Sequence, residues 1–168
     1  RHDLAMRLKE AAMTTNEKLG YLPDDPNAFK FDPLQQRVHV QEGAWFDVGE
    51  AALKPEAERA IEAFFPVLYD SMLQGGTEAI HYLAAIEIQG HTDPLWRNSP
   101  LWSWESYYQN TLLSQQRAAA VAAYMGGLLN AGDEEERRWR PFFAYVQTAG
   151  RSWMESYCQG EVLGPSDF

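Results

Sequence analysis

Apolar residues recur at helical spacing from the first residues of the chain. Leu4, Leu8, Ala11 and Ala12 share one face, with Arg7, Lys9 and Glu10 around them, which predicts a helix over about 3–18 capped by Asp3. Gly20 and Pro23-Asp24-Asp25-Pro26 end it. Polarity then alternates over Ala28–Phe31 and Arg37–Val40 around Asp32-Pro33, the pattern of a hairpin. After Trp45–Gly49 a second helix opens at Pro55, with Glu56 and Glu58 at the positive end of its dipole. Ala57, Ile61, Phe64, Phe65 and Leu68 form its apolar face, and Pro66 is expected to kink or divide it. Gln74-Gly75-Gly76 reads as a loop. Ala85–Gln89 is a strand running into Gly90-His91-Thr92-Asp93-Pro94. An aromatic segment spans Trp96–Tyr108, a helix is predicted over about 110–129, a short helix over 133–138, and a last strand over 142–147. The order helix, hairpin, helix, strand, helix, strand calls for one sheet covered by helices.

Composition narrows the classes. The 168 residues are 45% hydrophobic and 23% charged, enough for one packed domain and unlike a disordered tail. Acidic residues outnumber basic ones 24 to 14, for a net charge of −10, which excludes a broadly basic nucleic-acid footprint but not a local basic pocket. The single cysteine, Cys158, excludes an internal disulfide and a Cys-based zinc site. His2, His39, His81 and His91 are scattered and no carboxylate cluster has ligand spacing, so no metal or other cofactor is expected. The longest uncharged run, Ala118–Gly132, is too short and too rich in small residues to cross a bilayer. There is no signal peptide, and a chain beginning at Arg1 rather than Met reads as a piece of a longer or processed protein. Three of six tryptophans, Trp96, Trp102 and Trp104, crowd the aromatic segment.

The run Ile86-Glu87-Ile88-Gln89-Gly90-His91-Thr92-Asp93, followed by Asn110-Thr111-Leu112-Leu113-Ser114-Gln115-Gln116-Arg117-Ala118 and Val121, resembles the OmpA/MotB-like peptidoglycan-binding domain family. The family pattern is a strand ending in G-[HY]-T-D, then N-x-x-L-S-x-x-R-A-x-x-V opening a helix. Phe46-Asp47-Val48-Gly49 and Leu53-Lys54-Pro55-Glu56 are similar to its upstream F-x-x-G and L-x-P-x. The resemblance covers about 38–148. It implies an α/β (α+β sandwich) domain of β-α-β-α-β order with one mixed sheet over 28–168, preceded by a leader helix and linker over 1–27. The family places far fewer residues between Thr-Asp and Asn, so 94–109 reads as an aromatic insertion. Its last strand has no counterpart before Phe168, through truncation or divergence.

The resemblance also implies a site. The family's ligand is the diaminopimelate end of the peptidoglycan stem peptide, an ammonium beside a carboxylate. Asp93 accepts from the ammonium and Arg117 grips the carboxylate as a planar fork. His91 and Thr92 line the pocket with backbone amides, Asn110 fixes the loop or meets the ligand, Leu113 is core and Ser114 stabilises the helix start. The bland alternative is an ordinary Asp–Arg salt bridge. The aromatic insertion is expected to be either a small satellite core or a stacking surface for a sugar or a partner.

The implied activity is non-catalytic anchoring of a cell-envelope complex to the wall. Flagellar stator B subunits and the related subunit of the Zorya anti-phage system carry this domain after one membrane helix. That parallel implies a homodimer, MotA-like channel partners and a periplasmic domain of an inner-membrane protein. Porins and lipoproteins carry the domain too. A wall hydrolase would need a second carboxylate near Asp93, and the sequence shows none. A protein-interaction module that has lost wall binding is the other reading.

Overall fold

The computed structural model describes residues 2–73, 86–90, 92, 103–131 and 146–150. Helix α1 spans His2–Leu19, strands β1 and β2 span Lys30–Asp32 and Arg37–His39, and a short helix α2 spans Glu42–Trp45. Helix α3 (Pro55–Leu73), strand β3 (Ile86–Gly90), helix α4 (Trp104–Ala131) and strand β4 (Val146–Gly150) follow. The fold is thus a helix-rich mixture of helices and small sheets.

Helix α1 follows its predicted stripe. Ala11 and Ala12 are buried against α3, which lets the two helices approach closely. A reciprocal clasp adds direction to that contact: Arg7 Nη1 donates to the Ser71 carbonyl at 2.6 Å and Ser71 Oγ donates to the Arg7 carbonyl at 3.2 Å. Asn16 holds the segment beyond the helix, donating to the Phe29 carbonyl and accepting from the Phe29 amide, both at 2.8 Å. The predicted leader helix therefore shares the core of the domain that follows it.

Pro55 occupies the first turn of α3, and the Lys54 carbonyl accepts from the Ala57 and Glu58 amides. The helix continues through Pro66 and is not divided there. A mid-helix proline costs about 3 kcal/mol. Burial of Phe65, Leu68, Tyr69 and Met72 around it offsets that cost. With Ala11, Phe46, Ile61, Val121 and Met125 these residues form the main core between α1, α3 and α4. A second cluster joins Ala12, Phe29 and Ala60, with Phe29 stacked on Phe64 at 4.5 Å.

The expected single mixed sheet is not what the described residues form. They make two separate two-stranded sheets, β1–β2 antiparallel and β3–β4 parallel. The physical reason is local: the hairpin is drawn onto α1 by Asn16 and Phe29, whereas β3 and β4 both lie against α4. The parallel register runs from Ile86 opposite Val146 to Gly90 opposite Gly150; of the strand predicted over 142–147, residues 142–145 lie outside the described residues. Helix α4 also begins earlier than predicted, at Trp104. Ser103 caps it, its Oγ accepting from the Ser106 amide at 3.0 Å. The second half of the supposed insertion is therefore the first turn and a half of this helix. The predicted 74–76 loop and 133–138 helix lie outside the described residues.

Candidate functional site

Two segments far apart in sequence meet where β3 ends. Gly90, the last residue of the strand, lies against the backbone of α4. A Cβ built on it would sit 2.9 Å from the Ser114 carbonyl carbon and 3.1 Å from the Ala118 nitrogen, and closer still to the Ser114 oxygen. Only glycine allows this approach. Two residues on, Thr92 is buried and its Oγ1 donates to the Asn110 carbonyl at 3.4 Å. The chain leaving β3 thus passes Ala118 and Ser114 and reaches Asn110, and Arg117 lies on the stretch of helix it follows.

On α4 the motif positions form one buried stripe. Asn110, Leu113, Ser114, Arg117, Ala118 and Val121 are all at most 8% exposed, at helical spacing. The stripe is half polar. Asn110 Nδ2 donates to Ser106 Oγ at 3.4 Å and Ser114 Oγ donates to the Thr111 carbonyl at 2.9 Å. Leu113 joins the interior as expected; Ser114, expected to stabilise the helix start, lies in mid-helix because the helix begins at Trp104.

Arg117 is 2% exposed. Its Nε–H donates to the Glu50 carbonyl at 2.9 Å and Nη2 donates to the Asp47 carbonyl at 3.1 Å. The Phe46 ring lies 5.0 Å from its guanidinium carbon, a cation–π contact that continues into the core. Burying a cation is costly unless it is hydrogen-bonded. Here main-chain oxygens of the segment before α3 contribute to meeting that need and orient the plane of the fork.

That segment is itself closed. The Lys54 amide donates to the Trp45 carbonyl at 3.0 Å, tying its ends together. Lys54 Nζ binds the Gly43 carbonyl at 2.8 Å and the Asp47 carboxylate at 3.1 Å. Inside it, the Glu50 amide donates to the Asp47 carbonyl at 3.0 Å, with Gly49 at φ +76°.

Of the five residues implied by the resemblance, Thr92 meets Asn110, and Arg117 lies two turns further along the same buried stripe of α4. Asp93 and His91 lie outside the described residues, as do Trp96 and Trp102. Trp104 is 76% exposed, its ring tilted against that of Tyr107 at 5.4 Å between centroids, and Tyr108 is also exposed. Trp104 therefore does not belong to a satellite core. The contribution of Phe46, Asp47 and Glu50 was not legible as site chemistry, because two of the three act through carbonyls that every residue possesses. The trace they leave is Gly49.

Among the described residues, no three His, Cys, Asp or Glu side chains gather as a metal site, and no helix is long and apolar enough to cross a membrane. No protein-family model, curated protein or solved structure matches the chain.

Proposed function

We propose that the chain is a non-catalytic peptidoglycan-binding domain of the OmpA/MotB type. It takes the zwitterionic diaminopimelate centre of the stem peptide, with Arg117 on the carboxylate and Asp93 on the ammonium, and Thr92, His91 and Asn110 shape the recess. The observation that carries this reading is the meeting of Gly90 and Thr92 with Asn110, Ser114 and Ala118 on the same helix that carries a buried, oriented arginine. A guanidinium held rigid by main-chain oxygens is prepared for a planar anion and loses little freedom on binding it. In this role the domain anchors a cell-envelope complex, of the ion-driven stator kind, to the wall from the periplasmic side as a homodimer.

The exposed face of α4 supports a second reading. Trp104, Tyr108 and Leu112 recur every four residues on the side away from the buried stripe, a surface suited to a protein partner. One experiment separates the two. The wild-type protein co-sediments with purified sacculi, and Arg117→Ala and Asp93→Ala stay in the supernatant. Equal sedimentation of all three removes the wall-binding pocket and leaves the interaction module. Release of muropeptides by the wild type would show an enzyme instead.

A further inference from the structure

The turn Asp47-Val48-Gly49-Glu50 has the signature of a type II turn. The first carbonyl accepts from the fourth amide at 3.0 Å, and the third residue, Gly49, has φ +76°. Val48, at the second position, is 96% exposed, so its side chain does not hold this turn in shape. Its two outer residues are the ones whose carbonyls hold Arg117. The Asp47 oxygen serves both bonds at once, closing the turn and accepting from Nη2.

We infer that Gly49 is a positioning residue: by allowing the left-handed conformation of this turn, it aims two carbonyls at Arg117 and so presets the guanidinium for the anionic ligand. Gly49 has no side chain to reach the arginine. Its effect passes through the peptide planes on either side of it. With an ordinary L-residue at the third position, the turn relaxes toward a form with negative φ there, which re-aims the peptide planes that carry the two oxygens. The Phe46 contact sets the height of the fork above the ring but not its rotation, so it does not replace the aim that the two carbonyls give.

The substitution is sterically clean. A Cβ added at Gly49 meets nothing within 4 Å, so Gly49→Ala perturbs only the backbone conformation. Gly49→Asn is the conservative counterpart, since asparagine accepts the left-handed region and replaces glycine at this turn position. The pair separates turn conformation from side-chain bulk, because the larger residue is the one predicted to function.

The readout that needs no ligand is hydrogen exchange at the Arg117 Nε–H, followed by NMR. The left-handed cost for alanine converts to about tenfold faster exchange in Gly49→Ala, with Gly49→Asn returning close to wild type. The second readout is binding of the tripeptide L-alanyl-γ-D-glutamyl-meso-diaminopimelate and of its form amidated at the diaminopimelate carboxylate. This arm rests on the peptidoglycan reading. Gly49→Ala weakens the free acid by about tenfold, leaves the amide unchanged, and Gly49→Asn restores the difference. Unchanged Nε–H exchange in Gly49→Ala overturns the inference, and so does equal impairment by alanine and asparagine. If the wild type binds neither tripeptide, the peptidoglycan reading fails, and the exchange measurement still decides whether Gly49 positions Arg117.

Discussion

Gly90→Ala tests the close approach of β3 to α4. The added carbon would lie 2.9 Å from the Ser114 carbonyl carbon and 3.1 Å from the Ala118 nitrogen, both main-chain atoms of α4. Ordinary contact between carbons begins at about 3.5 Å, so strand and helix must part by over half an ångström. No flexible side chain can absorb that movement. The strand is also held in register with β4, where Gly90 faces Gly150, so separation from α4 strains the ladder as well. Overpacking of this kind costs about 1–3 kcal/mol, and a backbone-on-backbone clash belongs at the upper end. Replacing glycine returns up to about 1 kcal/mol through the unfolded chain, which leaves a net loss of roughly 2 kcal/mol. For a chain of this length that lowers Tm by roughly 4–8 °C. Urea unfolding gives the free energy directly. Gly127→Ala, on the exposed face of the same helix with nothing within 4 Å of its added carbon, is the control and gains roughly 0.5–1 kcal/mol. Were Gly90→Ala as stable as the wild type within 0.5 kcal/mol, β3 and α4 would not be in the contact described, and the convergence of the two motif halves would go with it.

Asn16→Ala removes a donor and an acceptor from the Phe29 backbone and is expected to cost about 2–3 kcal/mol in urea unfolding, with a loss under 0.5 kcal/mol as the contrary result. Trp104→Ala is expected to change stability by no more than about 0.5 kcal/mol, because the ring is exposed, and a larger loss would restore it to a core. The Tyr124 hydroxyl is pushed up to about 12, first by its hydrogen bond to Glu62 and then by burial. The native state therefore keeps a proton that the unfolded chain gives up near 10.0, so this contribution is present below pH 10 and fades as pH rises to 12. Ultraviolet titration of wild type against Tyr124→Phe and Glu62→Gln checks it, and an unshifted tyrosine in the wild type contradicts it.

The parts of this fold that burial periodicity controls were legible, and the parts that backbone geometry controls were not. Helices α1 and α3 follow their apolar stripes, and Pro55 marks the start of α3. The start of α4 was misread because the aromatic residues before Asn110 mimic an inserted loop. The signal that outweighs them is Ser103, a cap whose oxygen meets the amide three residues on. The G-H-T-D and N-x-x-L-S-x-x-R runs contain Thr92 and Asn110, which meet, and Gly90 explains the first position of that motif sterically. The carbonyls that orient Arg117 have no residue signature at all. Only the need for a left-handed residue at Gly49 shows through in the sequence, as the end of F-x-x-G.

The buried stripe of α4 finally allows the site reading to be weighed against a structural ion pair. A stripe made for packing alone would be apolar, yet Asn110, Ser114 and Arg117 take half of its positions. Burying an arginine costs several kcal/mol, and apolar replacement of buried ion pairs is often neutral or stabilising. The partners of Arg117 described above are carbonyls in a turn with exposed residues, which can turn to water when the cation is removed. Arg117→Met keeps the length and the apolar stem over Phe46 while removing the charge. If Arg117 serves a ligand, this variant loses less than about 2 kcal/mol of stability and all affinity for the stem peptide. If Arg117 instead completes a buried ion pair that holds the fold, the orphaned charge costs about 3–5 kcal/mol. A loss in that range, measured by urea unfolding, would make the arginine a structural residue and remove the main support for a binding site on this face.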